Sequence, residues 1–141
     1  MTVEGSLYHA EAVNEKGLSG VSFIRGNEQL ALGVSSSLVK GAGTNAEQLI
    51  GLTVSTCFNG TLELVERSHN LPHKSVVHTG VDMVKDGEGY AFILRIQILM
   101  EGVAHDQAEA LVEEAKDRCP VAKLIKANSN VTFTVVDQFE F

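Results

Sequence analysis

The rhythm of apolar and polar positions changes several times along the chain, and each change marks an element. Leu7–Val13, Val21–Arg25 and Gln29–Ser35 carry alternating or β-rich runs, broken by Gly17, Gly20 and the turn-favouring pair Gly26-Asn27, so they predict three opening strands. The stretch Ser36–Gly43 is polar and glycine-bearing. It leads into Thr44-Asn45-Ala46-Glu47, a capping box in which Thr44 and Glu47 each satisfy a free backbone donor, and a helix is predicted to start there. From Gln48 to Leu62 no side chain is charged, and small or apolar residues run around the whole circumference. Such a helix is expected to be wrapped on most of its sides, with Cys57 in its middle. Charge returns at Glu63, Glu66 and Arg67, and Pro72 ends the helical phase.

Two further β-rich runs, Ser75–Lys85 and Tyr90–Glu101, are joined by Asp86-Gly87-Glu88-Gly89, whose glycines suit a tight hairpin. From His105 to Arg118 the stripe Ala108, Leu111, Val112 and Ala115 opposes Glu109, Glu113, Glu114 and Lys116, the pattern of an amphipathic helix. Continuing the stripe reaches Cys119, which should therefore point toward the core that surrounds the first helix. Pro120 favours a new helix start, and Asn130–Asp137 reads as a closing strand. Three strands, a buried helix, a strand pair, two helices and a last strand lack the alternation of doubly wound folds, so the fold class is α+β, a sheet-and-helix sandwich. Residues 1–141 carry no linker, repeat or low-complexity tract and are expected to form one domain.

Composition narrows the function. A chain of 141 residues, 44% hydrophobic and 21% charged, can bury a core without staples. A formal net charge of −7 disfavours nucleic acid and anionic membrane as partners, since both attract basic patches. No run of eighteen apolar residues and no basic-plus-apolar leader occurs, so a cytoplasmic location is expected. His69, His73 and His78 cluster in sequence, but Pro72 interrupts helical spacing and no C-x-x-C pair joins them. They read as solvated side chains, and no metal or organic cofactor is called for.

That leaves Cys57 and Cys119. In a reducing compartment such a pair is either inert core or redox-active. Two thiols suffice to reduce a peroxide, one forming a sulfenic acid and the other condensing with it to a disulfide. Cys119 ends one helix and starts another, so the two dipoles act on it with opposite sign. Cys57 has no helix-end advantage and burial raises its pKa, so a thiolate there needs a cation. Arg67 lies ten residues along the helix, roughly 15 Å away at ~1.5 Å per residue. Arg25 is the only arginine in the N-terminal strands and the candidate cation, with Glu47 as the carboxylate to orient it.

Two segments resemble the OsmC/Ohr family. Gly43-Thr44-Asn45-Ala46-Glu47-Gln48-Leu49, followed by Ser55-Thr56-Cys57-Phe58, is similar to the segment leading to the family's reactive cysteine. Cys119-Pro120-Val121-Ala122-Lys123 is similar to the segment holding its second cysteine. The resemblance spans nearly the full length. It implies an OsmC-like fold, an intertwined homodimer with active sites near the subunit interface, a peroxidatic Cys57, a resolving Cys119 and a supporting Glu47. It also implies an organic hydroperoxide as substrate and an external dithiol, such as a lipoyl group, as reductant. The arginines that the family places after its first strand or before the Gly-Thr-Asn segment are absent, where this chain has Asn14-Glu15-Lys16-Gly17 and Ser36-Ser37-Leu38, so Arg25 or Lys16 stands as the substitute. A non-enzymatic redox-sensing or small-molecule-binding protein of the same fold is the alternative to an enzyme.

Overall fold

The computed structural model describes residues 2–141, apart from the Glu28 side chain, and the chain divides into two compact units that meet in sequence between Ala46 and Glu47. The first unit is an antiparallel sheet of β1 (Ala12–Asn14), β2 (Val21–Ile24) and β3 (Asn27–Gly33) in that order, with a 3-10 turn at Gly17–Ser19. The first predicted strand shrinks from Leu7–Val13 to three residues. The cause is its partner: β2 is only four residues long, and the ladder ends where Arg25 N–H donates to Glu11 O at 2.9 Å, just before the turn at Gly26. Leu7 and Tyr8 then have no strand to pair with, and both are exposed. Beyond β3, Thr44 N–H donates to Gly33 O and Ser35 N–H to Thr44 O, both at 2.9 Å. Gly43 lets these strands approach: its φ is +105°, and a Cβ there would lie 2.6 Å from Gly33 O.

The second unit carries the α+β architecture predicted from sequence. Its long helix α1 (Ala46–Ser68) precedes a hairpin of β4 (Ser75–Asp86) and β5 (Gly89–Met100), then α2 (His105–Arg118), α3 (Pro120–Ile125) and β6 (Val131–Val135). The hairpin pairs from Ser75↔Met100 to Asp86↔Gly89, and β6 adds parallel to β5, giving the order β4-β5-β6. One face of β5, with Leu94, Ile96, Ile98 and Met100, is buried against Val54, Phe58, Leu62 and Val65 of α1 and against the predicted α2 stripe of Ala108, Leu111, Val112 and Ala115. Within one chain α1 is buried through a single stripe rather than around its circumference, and Leu52 and Leu64 remain exposed. No helix among the described residues is long and apolar enough to cross a membrane.

Glu66 anchors the end of α1 to the start of β4. Its side chain is wholly buried. Oε2 accepts from the backbone N–H of Lys74 at 2.7 Å and of Ser75 at 3.3 Å; Oε1 accepts from Ser75 Oγ at 2.5 Å and lies 3.2 Å from His73 Nδ1. Burial alone pushes this carboxyl up, but the hydrogen bonds from Lys74, Ser75 and His73 outweigh it and hold the carboxyl below the usual glutamate range. Because the folded-state value lies below the unfolded one, the stabilisation is complete above about pH 4.3 and is lost as pH falls through the lower folded value. Replacing Glu66 by Gln swaps one acceptor for a donor facing two N–H groups and should cost about 2 to 4 kcal/mol. Thermal melts at neutral and acid pH check this: E66Q should melt lower at neutral pH and lose less stability than the parent on acidification. Equal acid slopes in the two proteins would remove the carboxylate from the pH balance.

Candidate functional site

Cys57 stands at the middle of α1, where a run of uncharged residues lets the helix lie close against the sheet. Ser55 Oγ and Thr79 Oγ1, 2.8 Å apart, tie this part of α1 to β4, and Phe58 stacks at a tilt on Phe133 of β6 with ring centroids 5.1 Å apart. Cys57 is therefore held on a fixed platform, half-buried, with its side chain packed on the core.

Cys119 is placed by the proline after it. A residue preceding proline is driven out of the helical region, and Cys119 has φ −72° and ψ 123°, extended, between two helices. Its N–H donates to Ala115 O at 2.8 Å and so completes α2. Pro120 takes the first position of α3, where its missing N–H costs nothing. The Cys119 sulfur then accepts from Ala122 N–H at 3.5 Å and caps α3. Cys119 is fully buried, and its sulfur lies 3.7 Å from that of Cys57, both as free thiols. Two side chains 62 positions apart in sequence are thus in contact.

The electrostatics of Cys57 are those of a thiol, not a thiolate. Burial pushes its pKa up, the Val121 backbone N–H pulls it back, and the neighbouring Cys119 thiol pushes it up again; the net direction is upward. Pro120 at a helix start signals in the sequence that the amides just behind it lack helical acceptors, yet Val121 and Ala122 were not among the expected site groups.

The remaining predicted residues are placed as follows. Glu47 is in the first turn of α1, where the helix dipole favours a carboxylate, ten residues before Cys57 and so about 15 Å along the axis. Arg25 follows β2 in a turn, and its Nη1 donates to Glu11 Oε2 at 3.1 Å with the side chain mostly exposed. His9 and Arg25 together hold the Glu11 carboxyl below its usual range. His69 and His73 are exposed, as expected of solvated side chains, and each histidine of the cluster also has a definite partner. His69 Nε2 is 2.8 Å from Glu114 Oε2, His73 faces Glu66, and His78 packs edge-on or at a tilt against Phe139 and Phe141, which also meet each other.

Comparison with known proteins gives these features a context. The organic hydroperoxide resistance protein OhrA of Bacillus subtilis is 34% identical over 96 residues, covering 67% of this chain and 68% of OhrA. The organic hydroperoxide resistance protein-like 2 of Staphylococcus epidermidis is 28% identical over 139 residues, covering 94% of this chain and 98% of its own. A crystal structure of a Lactobacillus casei protein with a proposed redox role superposes with a TM-score of 0.90 at 38% identity, covering 98% of this chain and 96% of the other. Residues 39–134, a span that includes both cysteines, match the family model described as OsmC-like protein, and the chain belongs to that family.

Proposed function

We propose that this protein is a thiol-dependent peroxidase that reduces organic hydroperoxides to alcohols. The observation that carries this is the 3.7 Å approach of the Cys57 and Cys119 sulfurs, one half-buried and the other fully buried. Relatives named for organic hydroperoxide resistance support it. In the proposed cycle the Cys57 thiolate attacks the distal peroxide oxygen, the O–O bond breaks, and the alkoxide takes up a proton and leaves as alcohol. Cys57 is left as a sulfenic acid. The Cys119 thiol then attacks that sulfur, forming the disulfide and releasing water. An external dithiol, such as a lipoyl group, returns both thiols by two exchange steps and is itself oxidised to a disulfide.

The assignment of roles follows exposure. Peroxide reaches the half-buried sulfur, whereas Cys119 is shielded by α2 and α3. The apolar packing around Cys57 favours hydroperoxides with a carbon chain over hydrogen peroxide. Closing 3.7 Å to an S–S bond of about 2.05 Å asks for a movement of about 1.7 Å. The cation that a raised thiol requires at neutral pH is proposed to be Arg25, with Glu47 orienting it and Lys16 as the substitute. A cytoplasmic homodimer completes the proposal. It is supported by the apolar side chains that one chain leaves in solvent, Leu52 and Leu64 on α1 and Val76 on β4.

One equivalent of cumene hydroperoxide followed by mass spectrometry tests the roles. The parent should give a disulfide between Cys57 and Cys119, Cys119→Ser a sulfenic or over-oxidised Cys57, and Cys57→Ser no reaction. Peroxide consumption by Cys57→Ser at the parent rate would remove the assigned nucleophile. The upward shift of Cys57 also favours a second reading, a sensor that oxidises once and stops. Many turnovers with dithiothreitol identify the enzyme, and a single oxidation the sensor.

Since peroxide reduction needs the thiolate, its rate should climb with pH through the Cys57 value. Cys119→Ala deletes an influence that raises that value, so the alkylation midpoint of Cys57 should move to lower pH. Arg25→Ala should move it to higher pH, and no movement would take Arg25 out of the mechanism. Sedimentation should return twice the chain mass for the parent and a single chain for Leu64→Lys; a parent that sediments as one chain would remove the dimer.

A further inference from the structure

Helix α3 is held at its start almost entirely through one residue. Cys119 supplies the carbonyl that accepts Lys123 N–H at 3.0 Å, the sulfur that accepts Ala122 N–H at 3.5 Å, and the N–H that ties the junction back to Ala115 O at 2.8 Å. Pro120 contributes no N–H, and the next amide, Val121, is directed to the Cys57 sulfur. Only six residues long, α3 has few bonds of its own to fall back on; a helix this short is stable only through its caps and its packing.

The two sulfurs are not equally free to move. Cys57 is in the middle of a helix of 23 residues, flanked by buried Val54, Phe58 and Thr61 on the same helix. Cys119 sits at an extended junction between two helices. The approach of about 1.7 Å that an S–S bond of about 2.05 Å requires will therefore be made mainly by Cys119. Its sulfur lies 3.5 Å from Ala122 N, an ordinary distance for an N–H···S contact, and a shift of that size directed away from the amide breaks the contact unless α3 follows.

We propose that formation of the Cys57–Cys119 disulfide withdraws the cap of α3 and releases its first turn, so that the oxidation state of the sulfur pair is displayed on the protein surface. This rests on the peroxidatic and resolving roles given above. The step balances: the hydroperoxide oxidises Cys57 to a sulfenic acid, and the Cys119 thiol condenses with it, forming the S–S bond and releasing water. The consequence for recognition lies on the outer side of α3. Leu124 and Ile125 border a groove of about 330 Å³ with Ile50, Phe92, Leu94 and Val131, and Leu124 is largely exposed. A loosened α3 reshapes that groove in the disulfide form alone. A dithiol reductant with an apolar arm then meets a different surface on oxidised protein, which needs electrons, than on reduced protein, which does not.

Ala122 is 1% exposed, so its amide is expected to exchange slowly while the cap holds. Hydrogen exchange followed by NMR on the full chain, reduced and after one equivalent of cumene hydroperoxide, reads the release directly, with mass spectrometry on the same samples to count disulfides. The expected result is exchange at Ala122 faster by about tenfold or more in the disulfide form, as for a helix end opened locally, with core amides of β5 unchanged. Cys57→Ser given the same oxidant keeps its Cys119 thiol and should keep slow exchange at Ala122. A fully formed disulfide with unchanged Ala122 exchange overturns the switch while leaving the peroxidase chemistry intact. Failure of the disulfide to form overturns the chemistry beneath it, and faster exchange in Cys57→Ser would assign the effect to something other than the disulfide.

Discussion

Proline at position 120 is the constraint on which the site depends. An α2 that ran on past Arg118 would carry Cys119 around with the helical repeat, and its sulfur would have no reason to cap anything. Because Pro120 excludes the helical region for the residue before it, the chain extends at Cys119, α2 stops and α3 begins at once. One extended residue thus orients the sulfur toward α1, sets the direction of α3, and leaves the amides of Val121 and Ala122 free to address the two sulfurs. The contact between Cys57 and Cys119 is a consequence of backbone geometry more than of attraction between thiols, which is weak.

Such a contact is useful only if α1 does not slide, and the polar anchor at Glu66 fixes it. A fully buried carboxylate is costly in isolation, yet four groups of His73, Lys74 and Ser75, the residues leading into β4, converge on it. A helix held by apolar packing alone tolerates small shifts along its axis, since one methyl group replaces another at little cost. A carboxylate that must meet two particular N–H groups does not. Glu66 is nine residues beyond Cys57 on the same helix, so fixing its position fixes the height of the Cys57 sulfur above the sheet.

Much of the second unit was legible in the sequence because its signals are local. The hairpin was given by glycines flanking two β-rich runs, and α2 by a stripe of four apolar residues whose continuation pointed Cys119 inward, as the structure has it. The first strand is shorter than its sequence predicts because strand length is set by the partner, and nothing in Leu7–Val13 shows that β2 has only four residues. The helix around Cys57 was expected to be wrapped on most sides from its lack of charge, but composition does not say which protein surface does the wrapping. One chain covers a stripe. The Glu66 anchor is illegible in the sequence for a similar reason. Its partners lie up to nine residues away across a loop, and three of its contacts run to the main chain or to a serine that reads as ordinary strand. The role of Val121 and Ala122 is carried by amides, which side-chain motifs do not display.

The pairing of a raised Cys57 thiol with a fully buried Cys119 has a thermodynamic sense for the proposed cycle. An apolar site penalises charge, so it disfavours the thiolate; it does not penalise a neutral thiol or a neutral disulfide. The resting dithiol and the oxidised disulfide are both at home in this core, and only the charged species between them is not. Burial therefore slows the pair by withholding the thiolate, and a cation brought beside Cys57 accelerates oxidation while also stabilising the reduced form wherever it makes the thiolate the resting species. Geometry at the junction before Pro120 bears on the reduction potential, including, in the proposed switch, the cap withdrawn from α3, whereas a charge beside Cys57 bears on both the potential and the rate. Evolutionary loss of a cation would then leave a pair that still forms its disulfide, only slowly, and the fold would carry the function of a sensor without any change in its core.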